Sequence, residues 1–284
     1  MELRRIIIYL LTIIFVVGIN LPIFIMILMS FRPEPIIFRG LDVLFSNQFT
    51  LEAYTKYFGL YNIWYYVLNT TFVSLSSTFI CLLVGIPAAY AFSRFRFPAY
   101  SIFFILFLLV QLVPPIQVVI PMYVTFQTLG LLNTHLGLIL ALAVISLPFT
   151  VWLMTSYFST VPRDIEEAAM VDGCGRIAVI LKVLLPLIIP GVVASMIFTF
   201  TQAWGNFLVA YTLTSSSQTR MLTVEILLVL PAAGSFGSHG SEAKEAAYSV
   251  GFAAATICTI IPVILYYFAQ KYIAKGLTFG AVKG

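Results

Sequence analysis

Arg163-Asp164-Ile165-Glu166-Glu167-Ala168-Ala169-Met170-Val171-Asp172-Gly173-Cys174-Gly175-Arg176 begins a polar run that ends at Lys182. Seven charges fall in it: Arg163, Asp164, Glu166, Glu167, Asp172, Arg176 and Lys182. Phe97 to Pro162 on one side and Val183 to Thr219 on the other contain no Asp, Glu, Lys or Arg. A short, helix-prone polar segment with a glycine break thus interrupts two long apolar regions, and the rest of the chain follows from that pattern.

The chain of 284 residues is 61% hydrophobic and 9% charged. Soluble domains carry about 25% charged residues, so the composition is that of an integral membrane protein. A bilayer core of ~30 Å needs roughly 20 apolar helical residues per crossing. A central charge costs about 3 kcal/mol against a few tenths gained per Leu, Ile, Phe or Val, which favours long charge-free runs. The net charge of +4 does not indicate nucleic acid, because the basic residues stand singly at segment ends. Cys81, Cys174 and Cys258 are far apart, which disfavours a disulfide framework. His135 and His239 are lone histidines near loops, and no metal site is expected.

Six apolar segments are expected to cross the membrane: Ile6 to Met29, Val67 to Phe92, Tyr100 to Met122, Leu136 to Phe158, Pro186 to Thr212 and Ala247 to Gln270. The first is too long for a signal-peptide core and lacks a cleavage site. The run from Phe97 to Pro162 would make about 100 Å of helix, so it must cross more than once, with its break at Gly130 to His135. Ser30 to Tyr65 and Leu213 to Ala246 are mixed external loops, the former with a short amphipathic helix around Leu51 to Phe58. Arg4, Arg5, Arg94, Arg96, Arg163, Arg176, Lys182, Lys271, Lys275 and Lys283 lie on the side of the termini; Arg32, Arg39, Lys56, Arg220 and Lys244 lie on the other. Ten against five places both termini and the polar run in the cytoplasm.

Inside the apolar segments, polar residues are sparse enough to be read singly. Thr70, Ser74, Ser77, Cys81, Gly85 and Ala88 form a small-residue face that suits close helix packing. Ser195, Thr199, Gln202 and Asn206 recur at helical spacing, a stripe that faces other helices or a path rather than lipid. Gln111 and Gln117, near Pro114-Pro115, and Trp204 are further candidates for a translocation path. Helix-to-helix hydrogen bonding is the equal alternative for all of them.

Within the polar run, Asp164, Glu166 and Glu167 stand early in a helix, where the macrodipole favours acids. Gly173 suits its end, and a second short helix follows with Ile177, Ile180, Leu181 and Leu184 on one face. The product is a helix-turn-helix across the membrane surface.

Glu167-Ala168-Ala169, three residues, Gly173, nine residues, then Val183-Leu184-Leu185-Pro186 resembles the EAA signature of ABC importer permeases. The usual Ile is Val183 here. Ala89 to Pro98 resembles the end of the family's second helix, and Gly276-Leu277-Thr278 with Gly280 to Gly284 resembles the C-terminus of its carbohydrate, MalG-like subgroup. Trp204-Gly205-Asn206 departs from that subgroup's usual Trp-Asn pair.

The resemblance implies an all-α, MetI-like type-1 permease fold of six membrane helices in the cytoplasmic (inner) membrane. It divides the chain into a first helix and external loop at 1–66, a permease domain at 67–270 with a coupling loop near 160–186, and a cytoplasmic tail at 271–284. It implies that Glu166, Glu167, Ala168, Ala169, Asp172 and Gly173 dock on a separate ATPase subunit, and that Gly280, Ala281, Val282, Lys283 and Gly284 reach the same interface. The implied partners are a second permease chain, two ATPase subunits and an external solute-binding protein that meets the last external loop. No G-x4-GK-[ST] sequence occurs in the chain, so no cofactor is expected here. ATP and Mg belong to the partner, and the chain is a transport subunit rather than an enzyme. The rival classes are a permease for another small solute (polyol, glycerol phosphate, phosphate or polyamine) and an ion-coupled secondary transporter. The latter requires ionisable residues at the membrane midplane.

Overall fold

Hydrocarbon offers backbone N–H and C=O groups no partner but one another, so charge-free runs of this length become helices. The computed structural model describes residues 2–37, 39–40, 42–60, 62–96, 98, 100–229 and 248–281, and every described secondary-structure element is helical. The chain forms two units, 1–65 with 225–261 and 66–224 with 262–284.

In the first unit, α1 runs unbroken from Glu2–Ser30 through Pro22. The expected external loop contains three short helices, α2 (Glu34–Ile37), α3 (Asp42–Phe45) and α4 (Glu52–Leu60). Arg32, buried at 1% exposure, organises them. Its guanidinium donates to the carbonyls of Ser46 and Gln48 and lies 4.2 Å above the Phe49 ring. The Glu34 carboxylate accepts the backbone N–H groups of Tyr248 and Ser249, each at 2.8 Å. An acid there satisfies donors that the start of the last helix would otherwise leave open.

The second unit holds most of α5 (Ile63–Arg94), whose small-residue face is buried as expected at Thr70, Ser74, Ser77 and Cys81. The third segment differs from its expectation of one helix. α6 (Tyr100–Leu109) passes through a 3-10 turn at Val110–Leu112 and then bends by 99° into α7 (Pro115–Thr128). Pro114 is extended (φ −55°, ψ 132°) because a residue before proline is driven out of the helical region. Thr134 then caps α8 (His135–Thr160), its Oγ1 accepting Gly137 N–H at 3.0 Å.

The polar run forms α9 (Arg163–Val171), α10 (Arg176–Ala178), a π-helical stretch at Val179–Leu184 and α11 (Leu185–Leu187). The wider π turn buries Val179 and Leu184, five residues apart. It therefore corrects the expected apolar face: Ile177 and Leu181 are exposed while Leu184 is buried.

The fifth segment is also broken. The chain bends by 87° at Ile188 before α12 (Ile189–Trp204). Pro190 has no N–H for the carbonyl of Pro186, four residues earlier, and its ring crowds that turn. α12 stops at Trp204, and α13 (Leu208–Leu213) follows Gly205 to Phe207. α14 (Leu222–Val229) and α15 (Tyr248–Ala281) complete the chain.

Among the described residues four helices are long and apolar enough to cross a bilayer, in α1, α5, α8 and α15; two bent pairs, α6 with α7 and α10 to α11 with α12, qualify jointly. α8 is the central element. It packs on α12 through Phe149 and Phe198, whose ring centroids are 3.7 Å apart, and through Gly191 beneath the Tyr157 ring. At one end Asn133 adopts φ +60°. Its Oδ1 accepts from Ser215 N, Ser216 N and Thr219 Oγ1 at 2.9–3.0 Å. His135 pairs with Asn69, whose amide donates to the Arg220 carbonyl at 2.8 Å. At the other end Ala89, Tyr90, Met154, Phe158, Val179 and Leu184 form the apolar cluster that carries the polar run.

Candidate functional site

α9 begins after Pro162, with Asp164 and Glu166 in its first turn. Its end is a Schellman turn: Gly173 N–H donates to Met170 O at 3.1 Å and Cys174 N–H to Ala169 O at 3.0 Å. Gly173 sits at φ +89° with nothing within 4 Å of where a Cβ would lie. The glycine is therefore required by backbone conformation rather than by space.

One acid of the run turns inward. Glu166 is 6% exposed. Its Oε2 accepts Arg94 Nε at 2.8 Å and its Oε1 accepts the Tyr90 hydroxyl. Arg94 also donates to Val161 O at 3.0 Å, and Arg163 returns a bond to Arg94 O at 3.2 Å. The Tyr90 ring stands edge-on to Phe95 and Phe158, and the Arg176 guanidinium lies 5.1 Å over Phe95. The ends of α5 and α8 and the start of α9 are joined around one carboxylate, beside a cleft of about 150 Å³. A buried ion pair holds only when its geometry is good and its other lone pairs are bonded; here both conditions are met.

The remaining residues face outward. Glu167, Ala168, Met170, Asp172 and Gly173 are exposed and Ala169 is half-buried. Val171 is 87% and Ile177 74% exposed. Two apolar residues are thus left open to solvent on a polar, tightly folded loop. Glu166 does not belong to that outward set. Tyr90 and Arg94, which sequence reasoning left out of the site, do belong to its support. The available signal was Arg94 and Glu166 standing with opposite signs near the two borders of the charge-free run Phe97 to Pro162.

The candidate path residues separate into two groups. Gln111, Gln202 and Asn206 line one cleft of about 260 Å³, walled by Val113, Met122, Phe198 and Leu208. The breaks at Pro114 and Gly205 bring their amides there. Asn206 Oδ1 also accepts Val209 N–H at 3.0 Å. Gln117 is exposed and outside this cleft. Ser195 and Thr199 are fully buried, Thr199 Oγ1 lying 3.0 Å from Thr150 Oγ1, and Trp204 is buried at 2% exposure against Phe200. Of the tail, Gly280 and Ala281 end α15, whereas Val282, Lys283 and Gly284 lie outside the described residues, as does 230–246 of the last mixed loop.

Residues 81–279 match the family model described as binding-protein-dependent transport system inner membrane component. The chain is 34% identical over 241 residues to the sulfoquinovosyl glycerol transport system permease protein SmoH of Agrobacterium fabrum, covering 84% of this chain and 80% of that one. It is 32% identical over 261 residues to the trehalose/maltose transport system permease protein MalG of Thermococcus litoralis, covering 91% and 90%. In fold it is similar to a chain from the crystal structure of a bacterial ABC transporter involved in the import of the acidic polysaccharide alginate. The TM-score is 0.77 at 22% identity, covering 95% and 96% of the two chains.

Proposed function

This chain belongs to the family of binding-protein-dependent transport system inner membrane components, and from that premise we propose that it is one of two permease subunits of an ATP-driven importer for a sugar or oligosaccharide. It is a membrane transport subunit and not an enzyme. In this reading α1, α5, the α6–α7 pair, α8, the α10–α12 pair and α15 make six crossings, with both termini in the cytoplasm. A second permease chain, two cytoplasmic ATPase subunits and an external solute-binding protein complete the assembly.

The observation that carries the reading is the outward face of α9. Glu167, Ala168, Val171 and Ile177 are presented on a loop that Gly173 turns and Glu166 anchors. That face docks on the ATPase. An exposed ion pair at Glu167 contributes only ~0–1 kcal/mol, so Val171 and Ile177 supply most of the attachment. ATP binding moves the docked α9, and the Glu166–Arg94 pair carries the motion into α5. The bundle then shifts between two populations of states that face opposite sides of the membrane. The amide-lined cleft of Gln111, Gln202 and Asn206 is this chain's part of the path. The transport of a sulfoquinovosyl glycerol and of trehalose or maltose, named for two relatives, supports a carbohydrate substrate.

The test is to capture this chain from its membrane and identify what co-purifies. An ATPase and a solute-binding protein are expected, the latter showing thermal shifts with a sugar. A binding protein shifted only by phosphate or a polyamine would overturn the carbohydrate assignment. The absence of any ATPase would overturn the importer.

A further inference from the structure

A second cleft opens beside the polar run, where α5 ends and α6 begins. It holds about 680 Å³ and is lined by Ser93, Arg96, Tyr100, Ser101, Ser159 and Arg163, with no carboxylate on its wall. Arg96 is exposed and has no partner among the described residues. Arg163 spends one nitrogen on the Arg94 carbonyl and is otherwise open. The Ser93 and Ser159 hydroxyls donate to the Tyr90 and Thr155 carbonyls, which leaves two guanidinium groups and the Ser101 hydroxyl as the donor set for a phosphate, whose oxygens match the guanidinium fork.

The cleft continues into an apolar wall. α6 rises from it at Tyr100 and has no buried residue; Ile102, Phe103, Ile105 and Leu106 are all exposed. A cationic, hydroxyl-lined bowl at the foot of an exposed apolar helix has the shape of an amphiphile. Inorganic phosphate fills the bowl and leaves the wall bare. A protein partner covers the wall without needing two unneutralised arginines.

We propose that this cleft binds the phosphate of an anionic phospholipid, with Arg96 and Arg163 on the phosphate, Ser101 at the headgroup and the acyl chains along α6. The assignment rests on the reading that α6 enters the bilayer from its cytoplasmic face, where anionic lipids concentrate. Because Arg163 opens α9, the lipid ties the first turn of the coupling helix to the membrane.

The test uses the full chain in its purified complex, with bound lipid counted by native mass spectrometry after addition of phosphatidylglycerol or phosphatidylcholine. Wild type is expected to retain phosphatidylglycerol in preference to phosphatidylcholine. Arg96→Gln lowers that retention roughly five-fold, the weight of one juxtamembrane arginine. Ser101→Leu, which fills the bowl without changing charge, lowers it too, and Arg39→Gln, in a different segment, leaves it unchanged. Equal retention by wild type and Arg96→Gln, or equal retention of the two lipids, would overturn the site. Displacement by excess inorganic phosphate would reassign it to a free anion and overturn the lipid. Retention is read without ATP or sugar, so its failure leaves the importer reading intact, and a missing ATPase leaves the lipid result standing.

Discussion

Arg94 Nε, on the last turn of α5, lies 2.8 Å from Oε2 of Glu166, in the first turn of α9, and both side chains are 7% exposed. The pair joins the membrane helix to α9, the element proposed to dock on the ATPase. Removing one partner strands the other charge. Arg94→Met is therefore expected to cost about 3–5 kcal/mol, seen as a lower melting temperature of the purified complex. Glu166→Gln keeps the bond from Tyr90 and costs less. The double variant Arg94→Met with Glu166→Leu recovers part of the loss, since no lone charge remains. An Arg94→Met protein that melts with wild type would remove the pair from the account of α9's anchoring.

Gly173 at φ +89° sets a different kind of requirement. Gly173→Ala places a side chain in the left-handed region at about 1–2 kcal/mol and leaves the Schellman bonds possible. Gly173→Pro fixes φ near −65° and removes the N–H that bonds Met170 O, so the turn is lost. The expected result is an inserted complex whose ATP hydrolysis no longer responds to substrate. Substrate-stimulated ATPase at the wild-type level in reconstituted Gly173→Pro would separate this turn from coupling.

Val171 is 87% and Ile177 74% exposed on the outward side of the loop. If they enter a cleft of the ATPase, Val171→Asp and Ile177→Asp release it, because a charge is then desolvated without a partner. Glu167→Lys acts more weakly on attachment, as a rim charge does. The check is the amount of ATPase that co-purifies with each variant. A greater loss with Glu167→Lys than with Val171→Asp would make the contact electrostatic instead.

At Gly191 a Cβ would lie 2.3 Å from Cγ of the Tyr157 ring, on the close face between α8 and α12. Gly191→Ala is expected to overpack that face by about 1–3 kcal/mol. Adding Tyr157→Ala should restore some of the loss, because the side chain in the way is gone. Two losses that simply add in thermal melts would show that the helices are not held together at this point.

Helices were legible because the signal for a crossing is additive over roughly 20 residues, and α1, α5, α8 and α15 each hold such a run. The bends were not. Pro114-Pro115 and Pro190 announce a break, but its angle depends on what packs in the gap, and hydropathy is blind to it. The polar stripe shows the same limit. Ser195, Thr199, Gln202 and Asn206 share one helical face by spacing, yet Ser195 and Thr199 are fully buried, Thr199 against Thr150 of α8 and Cys81 of α5, while Gln202 and Asn206 line a cleft. Glu166 and Glu167 look alike in sequence. Only the position of Arg94, 72 residues earlier, decides which one turns inward.

That split yields the sharpest prediction about the path. Gln111 and Gln202 line the same cleft, which presents their side-chain amides to a polyhydroxylated solute. A neutral hydrogen bond contributes about 0.5–1.5 kcal/mol. Gln111→Leu and Gln202→Leu should therefore each slow transport roughly two- to ten-fold. The sugar affinity of the binding protein is unaffected, because it resides on another molecule. Asn206→Leu mixes this effect with loss of the cap on Val209 N–H and is expected to lower the melting temperature as well. Gln117 has the same side chain three residues beyond Pro114 and lies outside the cleft, so Gln117→Leu should transport as wild type. Uptake of labelled sugar into vesicles carrying each variant measures this directly. A loss at Gln117 with none at Gln111 or Gln202 would move the path off this cleft and onto the exposed face of α7.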